Sequence, residues 1–174
     1  PGLVGSEMCI RDSIAPEACL TKKFKKNPNF QYVTADLYSP LADVKMDIHN
    51  IPFEDNYFDL VLCNHVLEHV EDDILALKEI KRVLKKNGFG IVMIPFYNPI
   101  PETTFQDNSI VSSKDREKYY GQSDHLRKYG NDFKIRFESS GLHIDLIKPE
   151  KFLKTSEIIK HGIIKSDMII SVSK

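Results

Sequence analysis

The 174-residue chain is predicted to fold as an α/β domain with a largely parallel sheet. Three observations predict it. From Ile14 onward, β-prone apolar runs alternate with amphipathic stretches of helical period. Two runs, "FDLVLCN" (58–64) and "FGIVMIPF" (89–96), are nearly continuous in apolar residues, as strands buried on both faces require. Asp36, Asp47 and Asn64 fall at the C-terminal ends of successive strands, the edge at which open α/β sheets bind ligands.

The elements follow in order. Residues 1–13 are set aside from the fold, because codons for Met8–Ser13 can spell the end of a sequencing-library adapter and the residues before them resemble its translated arm. On that reading the natural protein starts upstream and is truncated inside its first strand. "IAPE" (14–17) is then the tail of strand 1 and the turn after it. "EACLTKKFKK" (17–26) is helix-like, with lysines towards its C-terminus, and "NPN" ends it. "FQYVTADLY" (30–38) is strand 2 and "DVKMDI" (43–48) a short strand 3.

Strand 4 is "FDLVLCN". "EDDILALKEIKRVLKKNG" (71–88) is the clearest helix, with Ile74, Leu77, Ile80 and Leu84 on one stripe, acids first, lysines last and Gly88 as C-cap. Strand 5 is "FGIVMIPF". Residues 97–124 form a long polar stretch, and loops of that length are usually functional or disordered. "NDFKIRFESSG" (131–141) is a second amphipathic helix. "LHIDLIK" (142–148) and "DMIISVSK" (167–174) are alternating strands, with "TSEIIKHG" (155–162) a short helix or loop between them.

Length allows one domain, residues 14–174, with 97–130 as a cover over the site. A formal net charge of −1 gives no argument for nucleic acid or an anionic membrane. No apolar run is long enough to span a membrane. Cys9, Cys19 and Cys63 have no disulfide-framework spacing, so a reducing, cytoplasmic setting is expected.

An acid ending strand 2 can accept two hydrogen bonds from a ribose diol, and Asp36 lies about 20 residues after the strand 1 turn. Asp47 can accept from an adenine amino group, with Ile48 offering an apolar face to the ring. Together they suggest an adenosine-containing ligand. "DIHNIPFEDNYFDLVLCNHVLEHVEDD" (47–73), followed by "LKEIKRVLKKNGFGIVMIP" (77–95), resembles the heart of the class I S-adenosylmethionine-dependent methyltransferases of the type 11 kind. The likeness runs from about Ile14 to Phe96 and continues more weakly through "DHLRKYG" and "FESSGLHI".

The resemblance implies a Rossmann-like methyltransferase fold with an antiparallel C-terminal strand and helices on both faces. It implies S-adenosylmethionine as cofactor and methyl transfer to a small-molecule or glycan- or lipid-linked acceptor. Asp36, with Leu37 beside it, would hold the ribose, and Asp47 and Ile48 the adenine. Asn64 and His65 would line the methionine side, and Ala15, Pro16 and Glu17 would lie beneath it. The family usually carries a Gly-x-Gly loop after strand 1, where this chain has "IAPE". Glu17 either pairs with the α-ammonium group of the cofactor or only starts helix 1.

Two further features carry chemistry. His65-Val-Leu-Glu68-His69 fits the H-x-x-E-H pattern of a zinc hydrolase, but that pattern needs His65 well inside a helix, one residue after strand 4 ends. No metal ligand is therefore expected, and Glu68 and His69 are read as packing and capping. His125, with Asp124, Arg127 and Tyr129 close by, is the candidate general base, against the alternative of a surface loop histidine. A non-catalytic cofactor-binding or partner-binding module on the same fold is the rival reading.

Overall fold

The computed structural model describes residues 9–14, 18–163 and 168–174. Seven strands are β1 (Cys9–Ile14), β2 (Phe30–Asp36), β3 (Val44–Lys45), β4 (Phe58–Asn64), β5 (Leu84–Met93), β6 (His143–Ile147) and β7 (Ile169–Ser173). They form one sheet in the order β3-β2-β1-β4-β5-β7-β6. All neighbours from β3 to β5 pair in parallel, and β7 runs antiparallel between β5 and β6. The carboxyl ends of β1 to β5 therefore share one edge, on which Asp36 and Asn64 both stand.

β4 lies at the centre because its sequence can be buried on both faces. Phe58, Leu60, Val61, Leu62 and Cys63 are all buried. β1 pairs on one side of it and β5 on the other. The backbone of Cys9–Ser13 is part of β1, so residues set aside from the fold pair with β2 and β4 inside the sheet.

α1 spans Ala18–Lys25 and packs by β2. α2 (Asp73–Val83) starts where the Asp72 side chain accepts from the Leu75 N–H at 2.9 Å. Its buried face is Asp73, Ala76, Leu77, Ile80 and Val83, each aliphatic member of Val or Leu size contributing about 1.5–3 kcal/mol. Ile74, expected on that face, is only half-buried, and the carboxylate of Asp73 sits inside instead.

The helix also ends earlier than expected. Leu84 is already extended, at φ −65° and ψ 138°, and Gly88 lies within β5 rather than capping α2. Phe58 pairs with Leu84 but Leu60 pairs with Phe89, so residues 85–88 bulge out of the ladder. A Cβ on Gly88 would come within 2.9 Å of the Asp59 carbonyl and 3.0 Å of that of Phe58. The glycine answers a close backbone approach, not a left-handed cap.

The polar stretch after β5 is partly ordered into α3 (Ser113–Tyr120), capped by the Ser112 hydroxyl and ended by Gly121 at φ 93°. Phe105 pairs with Lys128 in an isolated bridge. α4 (Phe133–Ser139) ends before Gly141, at φ 83°, as its sequence predicts, and α5 covers Thr155–Lys160.

Asp73 holds these parts together. Its carboxylate accepts from Arg136 at 2.6 and 3.0 Å and from the Tyr129 hydroxyl at 2.8 Å. Arg127, fully buried, lies 4.0 Å away and donates to the carbonyls of Leu67 and Glu71. Burial alone would raise the Asp73 pKa, but Arg136, Arg127 and Tyr129 outweigh it and hold it below the ordinary value. The folded pKa is thus depressed, so this stabilisation is complete above the unfolded pKa and is lost as pH falls through the folded one. Asp73→Asn is expected to cost about 3 kcal/mol in urea unfolding at pH 7. The gap between variant and wild type should begin to close only below about pH 4; a gap that is constant down to acid pH would contradict the assignment.

Candidate cofactor and acceptor site

The site is built on the carboxyl edge of the parallel strands. Asp36 ends β2, half-buried, and its Oδ1 accepts from the backbone N–H groups of Tyr38 and Ser39, both at 2.7 Å. This turn fixes the carboxylate at the edge and does not use its second oxygen. Leu37 beside it is partly exposed. After β3 the Met46 N–H still donates to the Asp36 carbonyl at 3.0 Å, which carries the chain to Asp47 alongside β2.

Asp47 is exposed, and its Oδ1 accepts from the His49 N–H at 2.9 Å and meets the His49 Nδ1 at 2.7 Å. The backbone N–H of His49, then its ring, hold the Asp47 pKa below the ordinary value. Ile48 is buried.

The loop that follows is moored to α2. Arg82 donates to the carbonyls of Ile51 and Phe53 at 2.7 and 2.8 Å and pairs with Glu79 and Asp55. Glu79 in turn accepts from the Ile51 N–H at 2.9 Å. The "IPFED" stretch is therefore a folded loop with two of its carbonyls, those of Ile51 and Phe53, held by one guanidinium, whose five donors suit that task.

At the end of β4 the chain turns through His65, in the left-handed region at φ 53°. Histidine is one of the few side chains that adopts it with modest strain. The His65 N–H donates to the Met93 carbonyl at 2.9 Å, tying the turn to the end of β5. No helix begins here: residues 65–70 form turns before α2, so the helical frame of the zinc-hydrolase pattern is absent.

Beside this turn lies a cavity of about 450 Å³. Its walls include His65, Met93 and Phe96 from the strand ends and Phe152, Leu153 and Met168 from the C-terminal part of the chain. The apolar half of this wall was missed in the sequence, because its residues are far apart in the chain and share no motif. Ala15, Pro16 and Glu17 lie outside the described residues.

His125 is 2% exposed, so it is not the surface loop residue of the alternative reading. Its ring packs edge-on to His69, with centroids 4.7 Å apart, and its Nδ1 lies 3.4 Å from the Tyr97 hydroxyl. Burial, then the neighbouring His69, lowers the His125 pKa, against the raising effect of Glu68 and Asp124. Glu68, 1% exposed, lies beneath both histidines. Arg127 and Tyr129, singled out as neighbours of His125, belong instead to the Asp73 network.

A family model described as a methyltransferase domain matches residues 12–92, which contain Asp36, Asp47, Asn64, His65 and α2. Over this segment, a little under half of the chain, the protein is similar to that family. The demethylmenaquinone methyltransferase of Staphylococcus haemolyticus is 52% identical over 47 residues, which is 27% of this chain and 20% of that protein. The chain spans about a fifth of the length of the curated relatives it matches. Among solved structures, an S-adenosylmethionine-dependent methyltransferase from Mesorhizobium loti overlays with a TM-score of 0.58 at 13% identity, covering 95% of this chain and 90% of that one. A Burkholderia thailandensis 1,6-didemethyltoxoflavin N1-methyltransferase, solved with that substrate and S-adenosylhomocysteine, gives a TM-score of 0.58 at 13% identity, over 94% of this chain and 68% of that one. At such identities the overlays establish the fold alone.

The donor set of the domain fits S-adenosylmethionine. Asp36 offers a fixed carboxylate with one oxygen outside its own turn, which suits vicinal hydroxyls, and Ile48 is an apolar residue next to a second acceptor, Asp47. The Arg82 mooring positions that second half. Arg82→Ala is expected to destabilise the chain by about 1.5–3 kcal/mol. It should also speed amide hydrogen exchange across residues 46–57; unchanged exchange there would show that the loop is held by other means.

Proposed function

We propose that this chain transfers the methyl group of S-adenosylmethionine to a small-molecule or glycan- or lipid-linked acceptor by in-line displacement. The observation that carries the reading is the convergence of Asp36, Asp47–Ile48 and Asn64–His65 on one sheet edge of a methyltransferase domain. Asp36 would take the ribose hydroxyls, with Leu37 alongside. Asp47 and Ile48 would take the adenine, and Asn64 and His65 the methionine side. Ala15, Pro16 and Glu17 would form the floor. When bound, the cofactor supplies an already activated methyl group. The chain's task is then alignment, and orientation effects reach about 7–11 kcal/mol in good cases.

The acceptor would enter the cavity beside His65, whose methionine and aromatic walls suit an apolar or planar group and exclude water. Residues 97–130 would cover that side, and His125 would be the acceptor-side polar group. No helix among the described residues is long and apolar enough to cross a membrane. A cytoplasmic setting is part of the proposal.

Titration calorimetry with S-adenosylmethionine tests the reading. Asp36→Asn keeps the Oδ1 acceptor of the turn but loses the charge. It should bind about tenfold or more weakly, with little change in stability, and Asp47→Ala should also weaken binding. Absent binding by wild type, or affinities unchanged in both variants, would overturn it. Binding with no methylated product from a broad extract would favour the non-catalytic module.

A further inference from the structure

From the geometry we infer that Glu68, His69 and His125 bind a divalent transition-metal cation. One ligand atom of each lies within 4.8 Å of the others, close enough for a cation to draw them together. Glu68 is 1% exposed, and its buried Oε2 has no hydrogen-bond partner among the described residues. A buried carboxylate oxygen left unsatisfied is costly unless a cation or donor meets it.

The two imidazoles are already arranged as ligands. The Tyr97 hydroxyl commits its proton to the Tyr120 carbonyl at 2.6 Å, so its oxygen can only accept from the His125 Nδ1, 3.4 Å away. The His69 Nδ1 faces the Asp124 carboxylate at 3.3 Å. With Nδ1 as the donor to these oxygens, each Nε2 keeps a lone pair, the arrangement seen where an oxygen partner orients a metal-binding histidine. Two imidazoles and one carboxylate suit Zn²⁺ and its first-row neighbours, and three protein ligands leave one position open.

This set differs from the H-x-x-E-H reading. His65 is replaced by His125 from the segment after α3, and the glutamate is a ligand rather than a base. With a cation present the His125 lone pair is engaged. A cation held by these three residues would have an open position at which it would supply Lewis-acid polarisation of an acceptor oxygen. That use rests on the methyl-transfer reading; the cation site itself does not.

The test uses Co²⁺ as the probe, added to the chelator-stripped full chain. We expect about one Co²⁺ per chain, with visible ligand-field absorption that Zn²⁺ displaces. His69→Gln and His125→Gln should each weaken binding by about tenfold or more, while the exposed His143→Gln and His161→Gln leave it unchanged. Asp124 is an exposed side chain, so Asp124→Asn should fold normally and still weaken binding about tenfold. No stoichiometric Co²⁺ in the wild type, or wild-type affinity in both Asp124→Asn and His125→Gln, would overturn the site. S-adenosylmethionine binding by the same stripped protein separates the two readings: cofactor binding without Co²⁺ removes only the metal site, and Co²⁺ without cofactor binding removes only the methyl-transfer reading.

Discussion

A single buried carboxylate, that of Asp73, is the constraint on which the placement of the chain after α3 depends. It stands in the first turn of α2, on the face that the rest of the helix fills with apolar side chains. There it is stable only because Arg136, Tyr129 and Arg127 surround it. Those three residues come from the chain after α3, so satisfying one charge also fixes where that chain lies. Arg127 extends the tie to the carbonyls of Leu67 and Glu71, on either side of Glu68 and His69. His125 is delivered to that pair as a consequence. The Leu126 N–H, donating to the Glu68 carbonyl at 2.8 Å, closes the arrangement.

The cofactor side depends on a different physical fact, the parallel pairing of β1 to β5. Parallel strands bring their carboxyl ends to one edge, so residues far apart in sequence need no side-chain contacts to share a site. That is why the places of Asp36, Asp47, Asn64 and His65 in the fold were legible from the chain alone: each ends, or follows within two residues, a strand whose period shows where it stops. The loop between β3 and β4 was legible only as a motif. Its physical reason, the guanidinium of Arg82 gathering two carbonyls and two carboxylates, needed the structure.

What the sequence hid follows from the same logic. Gly88 reads as a helix cap, because a glycine after lysines is the usual stop signal. The reason for it lies in the backbone of β4, which no local pattern records. Asp73 reads as an ordinary first-turn acid, because the arginines that let it be buried lie more than fifty residues away. The Glu68–His69 pair reads as capping for the same reason. The apolar cavity combines strand ends with C-terminal residues, and only the folding of β7 between β5 and β6 brings them together.

The carboxyl edge of the sheet and the apolar cavity meet at the turn through His65, which follows the β4 end on one side and lines the cavity on the other. On the proposed function, a methyl donor lies across this turn, with its nucleoside towards β2 and its sulfur towards the cavity. A crystal structure with S-adenosylhomocysteine tests it most directly. The account predicts the ribose hydroxyls against the Asp36 carboxylate, the adenine beside Asp47 and Ile48, and the sulfur at the mouth of the cavity near His65. A nucleoside bound away from the ends of β2 and β3 would contradict it.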